Sequence, residues 1–359
     1  MIKFLHASDF HLDAPFAALG REAAVQRRQE QREAVTALVD LCNSAQCDLM
    51  LLAGDLLDSD AAYPETVEHL CREFARCSAE IVISPGNHDR YLHGGPYDTA
   101  FWPDNVHIFT ENRIRAVEFP ALDCTVWGAA FTAMDCAPLL EGFSVADPEG
   151  INLMVLHGEL KPGSNYNPMS EQQIAASGLD YLALGHVHMQ SGLLRAGETH
   201  YAWPGCLMGR GFDEAGEKGC YLGEVGKDGC RLDFVPLPGR RYEVLHVQAG
   251  DNPAAAIEAA LPQDASRDIY RIYLEGECDS PDLRALYAQF APRCFSLNLR
   301  DKTLPTVDLW AACGDDSLRG LFLQELKARY DAETDEEERQ LIAQAARYGL
   351  AATEGRELT

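Results

Sequence analysis

The chain has 359 residues, of which 47% are hydrophobic, enough for one large domain and a smaller one. No run approaches the ~18 apolar residues of a membrane span, and no export signal follows Met1, so we expect a cytoplasmic protein without a membrane partner. Its 30 Lys and Arg against 56 Asp and Glu give a net charge of −26, which weakens the case for DNA binding without excluding it. The 12 cysteines are scattered through apolar segments, which predicts that most of them are small buried residues without disulfides.

Five short apolar runs each lead into a stretch that contains Asp, His or Asn. The runs cover residues 2–7, 48–53, 81–84, 153–156 and 181–184. The stretches that follow them are Asp9-Phe10-His11, Gly54-Asp55-Leu56-Leu57-Asp58, Gly86-Asn87-His88-Asp89, His157-Gly158-Glu159 and Gly185-His186-Val187-His188. Such runs indicate strands buried on both faces, and functional groups collect at the carboxyl edge of sheets built from such strands.

The residue types in these stretches suit a pair of divalent metal ions. Two ions about 3.5–4 Å apart can hold both the attacking and the leaving oxygen of a phosphoryl displacement. Because two cations repel each other, they need a shared anion, and Asp55 is the natural bridge. Mixed nitrogen and oxygen ligands favour Mn, Fe or Zn over Ca or Mg. The alternative is that these side chains are core histidines and helix caps, which is the better interpretation for any one histidine taken alone.

The segments between the runs predict helices and further strands. A loop followed by a helix is predicted over residues 13–32, and apolar spacing over residues 34–42 continues that helix. Tyr63-Pro64-Glu65 begins another helix, which has Val67, Leu70, Cys71 and Phe74 on one face, so that strands and helices alternate up to Asn87. Residues 106–109, 115–119 and 124–129 read as strands of a second sheet. Residues 90–103 and 163–168 are expected to be loops beside the site, with Tyr166 either available to a substrate or part of a plain turn.

The five motifs, Asp-x-His, Gly-Asp-x-x-Asp, Gly-Asn-His-Asp, His-Gly and Gly-His-x-His, resemble in that order those of the calcineurin-like metallophosphoesterases. Further stretches at 166–168, 177–181 and 204–220 resemble the DNA-repair exonuclease branch of that family, the SbcD and YhaO type, over most of residues 1–240. The resemblance implies an α/β fold, a four-layer αββα sandwich, with a small α/β capping domain and a helical C-terminal tail.

The composition changes after Arg240 and Arg241. The pattern predicts strands at 244–247, 269–274 and 294–299, and helices at 253–261 and 281–290, with Ser280 before Pro281 as a helix start. We therefore predict a metallophosphoesterase (nuclease) domain at 1–240, a capping domain at 241–310 and a helical tail at 311–359. A generic appendage is the alternative for the middle unit.

Two amphipathic helices are predicted in the tail. Leu318, Leu321, Phe322, Leu326 and Tyr330 form one apolar stripe, and Leu341, Ile342, Ala345 and Leu350 form a second. Thr334 with Glu337 predicts a capping box, and Gly349 predicts the end of the second helix. In proteins of the SbcD type, a helical pair here binds the coiled coil of an SbcC-like ATPase. The alternative is that the helices pack on the body of the protein.

The family resemblance also implies a role for each site residue. One metal ion would be held by Asp9, His11, Asp55 and His188, and the other by Asp55, Asn87, His157 and His186. Mn is favoured, with Fe, Zn or Mg as alternatives, and a hydroxide between the ions would attack the phosphodiester. His88 would protonate the leaving oxygen. Asp89 would orient His88, and Asp58 would support a metal ligand, unless both are structural caps of strand ends.

Three functions are compatible with these sequence features. The first is a Mn-dependent DNA exonuclease or endonuclease of DNA repair that acts with an SbcC-like ATPase, and the capping unit, the tail and residues 204–220 favour it. The second is a phosphoesterase acting on a nucleotide, cyclic nucleotide or phosphoprotein, which the acidic charge favours. The third is a metal-binding scaffold without catalytic activity, and the complete set of predicted metal ligands argues against it. The sequence leaves open whether the chain forms a homodimer.

Overall fold

The computed structural model describes residues 1–59, 61–278, 280–304 and 309–354. They divide into two compact units, one of Met1–Leu245, Pro262–Ile272 and Tyr287–Leu299, the other of His246–Leu261, Tyr273–Leu286 and Arg300–Thr359. The predicted domain boundaries, 1–240, 241–310 and 311–359, stay a prediction. Within the described ranges, no helix is long and apolar enough to cross a membrane. All twelve cysteines are free, and seven of them are buried, as predicted for most of them, while five are partly buried.

Fifteen strands and eight α-helices are present in the described residues. The strands are β1 (Ile2–Ala7), β2 (Leu49–Leu52), β3 (Glu80–Ile83), β4 (Val106–Ile108), β5 (Arg115–Phe119), β6 (Cys124–Gly128), β7 (Ile151–His157), β8 (Tyr181–Gly185), β9 (Leu194–Ala196), β10 (Thr199–Ala202), β11 (Gly219–Gly226), β12 (Gly229–Pro236), β13 (Tyr242–Gln248), β14 (Ile269–Glu275) and β15 (Ser296–Asp301). The helices are α1 (Arg21–Ala45), α2 (Pro64–Ala75), α3 (Pro96–Thr99), α4 (Glu171–Ala176), α5 (Pro253–Ala260), α6 (Leu283–Phe290), α7 (Leu318–Ala332) and α8 (Glu336–Glu354).

Two six-stranded mixed sheets form the first unit. The first has the order β12-β11-β1-β2-β3-β4, in which β1 to β4 are parallel and β11 is antiparallel to β1. The second has the order β5-β6-β7-β8-β10-β9, in which β6, β7, β8 and β10 are parallel. Parallel neighbours end at the same sheet edge, so the stretches after β1, β2 and β3 meet at one edge, and those after β7 and β8 meet at another.

The buried apolar side chains form three clusters that lie between four layers of helices and sheets. On β1, Phe4 packs in the cluster between the two sheets, whereas Leu5 packs in the cluster beneath α1 and α2. On β8, Tyr181 lies in the inter-sheet cluster and Leu182 packs on the outer side with Ile174 of α4. This alternation follows from the period of two along a strand, and each fully buried large side chain contributes about 1.5–3 kcal/mol. The predicted αββα sandwich is therefore confirmed.

Backbone conformation marks the end of α1 and the beginning of α2, the two outer helices of the first sheet. α1 begins at Arg21, within the predicted loop and helix of residues 13–32, and its last residue, Ala45, is followed by Gln46, which adopts the left-handed conformation with φ 55°. α2 begins with Pro64 in its first turn, where a missing N–H costs nothing. On the predicted apolar face of α2, Val67, Leu70 and Phe74 are buried and Cys71 is partly buried.

Strands β13, β14 and β15 form a three-stranded sheet, at almost the predicted positions. The predicted helix start at Ser280 is wrong, because α6 begins at Leu283. The Asp282 carboxylate accepts a hydrogen bond from the Ala285 N–H at 2.9 Å and caps this end instead. Ser280 itself has a φ of 48°, which a helical residue does not adopt.

The tail contains the two predicted helices, with two corrections. Asp335, not Thr334, caps α8, since its Oδ1 accepts the N–H groups of Glu337 at 2.8 Å and Glu338 at 3.2 Å. Gly349 does not end α8, which continues to Glu354. A side chain at Gly349 would collide with the ring of Phe322, so this glycine permits close packing of the helix pair.

The apolar stripes of the tail are divided between a small core and the surface. Leu323, Ala346 and Leu350 are buried in a cluster with Leu309 and Ala312. Four other apolar side chains stay exposed, namely Leu318, Leu321, Leu341 and Tyr348. The helices therefore pack on each other through one face and present a second apolar face.

Candidate metal centre

The backbone turns sharply at the ends of the strands that carry the site. Asp9, His11, Asp55 and His186 have positive φ angles of 54°, 45°, 54° and 90°, a region that non-glycine residues rarely occupy. Such strained residues collect at functional sites. Gly54 (φ 84°) must be glycine, because a side chain there would lie 2.7 Å from Nδ1 of His157.

One group of donor atoms joins β1, β2 and the end of β8. His11 Nε2 lies 3.4 Å from His188 Nε2, 3.6 Å from Asp55 Oδ2 and 4.0 Å from Asp9 Oδ1. Asp9 Oδ1 is also 3.5 Å from His188 Nε2. We call these four residues the first cluster. Asp9, His11 and Asp55 are buried, whereas His188 is partly open to solvent.

A second group shares Asp55. His157 Nε2 lies 3.4 Å from Asp55 Oδ2 and 3.0 Å from Asn87 Oδ1. We call Asp55, Asn87 and His157, together with His186, the second cluster. His186 is its outer member, with a ring centroid 5.1 Å from that of His157 and 4.9 Å from that of Tyr166. The structure thus brings together every residue that the sequence predicted as a metal ligand.

The donor separations fit metal ions. Ligand atoms about 2.1 Å from one ion lie about 3.0 Å apart at a right angle and about 3.4 Å apart at a tetrahedral angle. Separations of 3.4 Å and 3.6 Å in the first cluster and of 3.0 Å and 3.4 Å in the second fall close to this range. The 4.0 Å between His11 Nε2 and Asp9 Oδ1 is longer. Mixed carboxylate, amide and imidazole donors are ligands of divalent transition metals.

Each histidine in the two clusters has an oxygen behind its outward nitrogen. His157 Nδ1 lies 2.9 Å from the Ala53 carbonyl, and His188 Nδ1 lies 2.7 Å from Glu214 Oε1. His11 Nδ1 lies 3.2 Å from Asp58 Oδ1, without the angle of a hydrogen bond, and His186 Nε2 lies 3.6 Å from Glu159 Oε1. The hydrogen-bonded acceptors behind His157 and His188 fix the imidazole tautomer and turn the other nitrogen towards a metal.

Electrostatics in the ion-free protein hold the clusters together. Burial alone would raise the pKa of Asp55, but attraction to His157 and His11 brings that pKa well below its ordinary value. Burial would lower the pKa of His157, yet the Asp55 carboxylate raises it to about 9. Hydrogen bonds to Asp9 and Glu214 likewise overcome burial and raise the pKa of His188 to about 10. An arriving cation must therefore displace protons from these rings.

His88 stands at the open side of the first cluster. Its side chain is exposed, its backbone N–H donates to Asp55 Oδ1 at 2.9 Å, and its ring centroid is 4.8 Å from that of His11. Its Nδ1 lies 3.1 Å from the carbonyl oxygen of Asp58. Among the described residues, Nε2 of His88 has no hydrogen-bond partner, which makes it available to a substrate.

The prediction that Asp89 orients His88 is wrong. The buried Asp89 carboxylate accepts backbone N–H groups of Gly86 (2.8 Å), Asp55 (3.1 Å), Leu56 (2.6 Å) and Leu57 (3.2 Å). Adjacent residues in an extended turn point in different directions, so Asp89 faces the interior while His88 faces solvent. Asp89 is the structural alternative that the sequence left open. Asp58 Oδ1 lies 3.2 Å from His11 Nδ1, and its support of this ligand stays a prediction.

Sequence reasoning missed Glu214 and Arg210. Both lie in the stretch 209–214, far along the chain from the residues they contact, and no local spacing links them to the histidines. Glu159 was visible as part of the fourth motif, but its place behind His186 was not. Only the fold brings these carboxylates to the site.

Residues 2–190 match the family model of the calcineurin-like phosphoesterases. Because the match covers more than half of the chain, the protein belongs to this family and is a metal-dependent phosphoester hydrolase. The family binds two divalent metal ions, for which the two clusters supply candidate ligands.

Two curated proteins and one solved structure are similar to this chain. The chain is 29% identical over 264 residues to the uncharacterized metallophosphoesterase YhaO of Bacillus subtilis. This alignment covers 69% of this chain and 62% of YhaO. The chain is also 23% identical over 337 residues to the DNA double-strand break repair protein Mre11 of Saccharolobus solfataricus, and this alignment covers 86% of this chain and 84% of that protein. A crystal structure of a dimetal phosphatase from Danio rerio aligns at a TM-score of 0.41 with 10% identity, covering 65% of this chain and 99% of that one. The alignment with YhaO spans less than two thirds of the length of that protein.

Proposed function

We propose that this protein is a metal-dependent DNA phosphodiesterase, an exonuclease or endonuclease of DNA repair. The observation that carries the proposal is the position of Asp55, whose Oδ2 lies within 3.6 Å of nitrogen donors from two clusters. A shared carboxylate between two donor sets is the arrangement that a two-metal phosphodiesterase requires.

In this proposal Asp9, His11, Asp55 and His188 hold one ion, and Asp55, Asn87, His157 and His186 hold the other. When bound, the ions supply Lewis acidity towards the phosphate oxygens and lower the pKa of water. Mn suits the mixed donors best, with Fe, Zn or Mg as alternatives. The acceptors behind His157 and His188 hold the outward nitrogens of these rings and thereby turn the inward nitrogens towards the ions.

His88 serves as the acid that protonates the leaving oxygen. Its exposed ring beside His11 and its contact with the Asp58 carbonyl support this role. The carbonyl accepts from Nδ1, so the transferable proton would sit on Nε2. A general acid in this position typically contributes a factor of about 10²–10⁴ in rate.

DNA as substrate and an SbcC-like ATPase as partner rest on two further observations. The Mre11 relative, whose printed name assigns it to DNA double-strand break repair, aligns over 86% of this chain, beyond the catalytic motifs. The exposed Leu318, Leu321 and Leu341 of the tail offer an apolar face to a coiled coil. A homodimer and a cytoplasmic location stay predictions.

The acidic charge favours a second candidate function. A net charge of −26 opposes a long polyanion more than a small one, so a nucleotide, cyclic nucleotide or phosphoprotein is the alternative substrate. Two divalent ions would add +4 at the site and attract either substrate.

One assay separates the candidates. Purified protein with Mn²⁺ is offered end-labelled single-stranded and double-stranded DNA, a cyclic nucleotide, and bis-p-nitrophenyl phosphate. We expect cleavage of DNA and of the nitrophenyl diester, and neither by Asp55→Asn, which controls for contaminating nucleases. Hydrolysis of the small esters with intact DNA would favour the second candidate.

A further inference from the structure

The stretch 209–214 folds into a clip around one buried carboxylate. Glu214 is only 3% exposed. Its Oε1 accepts hydrogen bonds from His188 Nδ1 at 2.7 Å and from Arg210 Nη2 at 2.8 Å. Its Oε2 accepts the backbone N–H of Arg210 at 2.7 Å. The acceptor behind His188 is therefore held on both of its oxygens by one arginine.

The same arginine reaches the acceptor behind the other histidine of the first cluster. Arg210 Nη1 donates to Asp58 Oδ1 at 3.2 Å, and that oxygen lies 3.2 Å from His11 Nδ1. One guanidinium thus bridges the two carboxylates that stand behind His11 and His188. These histidines follow strands of different sheets, so the bridge links the two sheet edges at the site.

The loop that carries Arg210 is itself anchored. Arg27 of α1 is fully buried, and its Nη2 donates to the Gly209 carbonyl at 2.8 Å. Its guanidinium lies 5.4 Å from the ring centroid of Phe16 and 5.8 Å from that of Tyr242. A buried arginine held in this way fixes the backbone next to Arg210, and with it the direction of that side chain.

We propose that Arg210 is a positioning residue that clamps Asp58 and Glu214 and thereby preorganises one of the two metal sites, the one formed by the first cluster. The inference rests on the metal assignment in the proposed function. The planar guanidinium can bond two carboxylates at once, which a lysine ammonium on a flexible chain cannot match. Acceptors behind ligand histidines set their orientation and tautomer.

The second cluster has no such dependence on Arg210. Its buried histidine, His157, is backed by the main-chain carbonyl of Ala53, which the fold fixes without a side-chain clamp. Glu159, behind His186, is bonded by Ser164 Oγ at 2.6 Å instead. Loss of Arg210 should therefore affect the two metal sites unequally.

The test is a titration of the chelator-treated full-length protein with Co²⁺, followed by calorimetry and by the visible absorption of bound Co²⁺. The wild type should bind two ions. Arg210→Met should bind one of them about 10–100-fold more weakly, the usual effect of removing such support, and leave the other within about twofold. Arg210→Lys, which keeps the charge but not the fork, should not restore the affinity.

The matched control is Arg241→Met. Arg241 also pairs with a buried carboxylate, Asp268, at 3.5 Å, but that carboxylate is not behind a histidine of the two clusters. This variant should bind two ions as the wild type does. Because Arg210 and Asp58 act on the same ligand, the double variant Arg210→Met with Asp58→Asn should lose less than the product of the two single losses.

Different results overturn different claims. If the wild type binds two ions and Arg210→Met binds both unchanged, or if Arg210→Lys restores full affinity, the clamp is wrong while the proposed function stands. If the wild type binds fewer than two ions, the metal assignment fails and the clamp with it. Circular dichroism checks that each variant is folded, and Asp58→Asn, which keeps Arg210, gives an independent weakening of one site if Arg210→Met does not fold.

Discussion

The Asp89 carboxylate accepts the backbone N–H of Leu56 at 2.6 Å, which ties the turn after β3 to the turn after β2. Three more N–H groups and the hydroxyl of Tyr97, at 2.6 Å, share this carboxylate. Burial and repulsion from Asp55 raise the pKa of Asp89. The hydrogen-bond donors oppose these two effects and stabilise the Asp89 carboxylate. Asp89 therefore stabilises the loop that presents Asp55.

We expect Asp89→Ala to lower the free energy of unfolding by about 3 kcal/mol or more, because several buried donors lose their acceptor. Urea denaturation followed by fluorescence measures this loss. The control is Tyr97→Phe, which removes one donor only and should cost about 1 kcal/mol. If Asp89→Ala retained wild-type stability and lost only catalytic rate, a role in orienting His88 would return.

Asp55→Asn should remove most of the bound metal and nearly all hydrolysis. The substitution keeps the shape and the oxygen that accepts the His88 N–H, but it removes the negative charge that both clusters share. Metal analysis of the purified variant measures the loss directly. Two bound ions with near-normal turnover would show that the site is assigned wrongly.

The variant His88→Ala should keep both metal ions, and its rate of DNA cleavage should fall by a factor of about 10²–10⁴. The reason is that His88 contacts Asp55 only through its backbone, which the substitution preserves. On bis-p-nitrophenyl phosphate the loss should be much smaller, since nitrophenolate leaves without a proton. Equal losses on both substrates would argue against an acid.

Metal affinity should rise with pH. In the ion-free protein the Asp55 carboxylate raises the pKa of His157 to about 9, and Asp9 and Glu214 raise that of His188 to about 10, so at neutral pH both rings carry protons that an ion must displace. The same raised pKa values stabilise the ion-free fold fully below about pH 6.5, and this stabilisation is lost as the pH rises through about 9–10.

The gap in Tm between the metal-loaded and the chelator-treated protein should therefore widen from pH 6 to pH 9. Differential scanning calorimetry at fixed free metal concentration measures it. Asp55→Asn, which removes both the shared ligand and the charge that raises the pKa of His157, should show a small and nearly constant gap. A gap that narrows with pH in the wild type would contradict proton displacement.

The sequence predicts those parts of the site that depend on local signals. Each ligand motif directly follows an apolar strand, and parallel pairing alone brings Asp9, Asp55 and Asn87 to one edge. The support behind the ligands was not predictable in this way. Glu214 lies 26 residues beyond His188, and its contact exists only because the 209–214 loop folds back over the strand ends.

The same distinction explains the errors at helix ends. A capping residue is chosen by backbone geometry over one or two residues, so Thr334 and Asp335 are equivalent on the sequence level and only the turn selects Asp335. Gly349 carries the usual signal of a helix end, but here its lack of a side chain serves packing against Phe322. Tertiary contact overrides the local preference at that position.

The last prediction concerns the exposed apolar face of the tail, which we expect to bind an SbcC-like coiled-coil ATPase. Truncation is a poor test, because it would uncover Leu309 and Ala312, which pack against buried side chains of α7 and α8. Leu321 and Leu341 are both 60% exposed, so Leu321→Glu with Leu341→Glu should leave the fold intact. In a complex the two carboxylates would be desolvated, which should weaken association with the purified ATPase at least tenfold, about 1.4 kcal/mol.

Analytical ultracentrifugation of the two proteins together measures this association, and ATP-stimulated DNA cleavage should fall with it, while hydrolysis of bis-p-nitrophenyl phosphate stays at the wild-type rate. Gln324→Glu adds one charge at an exposed polar position of α7 and should change neither association nor cleavage. Unchanged association in the double variant would mean that this face does not bind the ATPase. Aggregation or a lowered Tm would mean that Leu321 and Leu341 stabilise the chain itself, because a merely exposed leucine can be charged without cost to the fold.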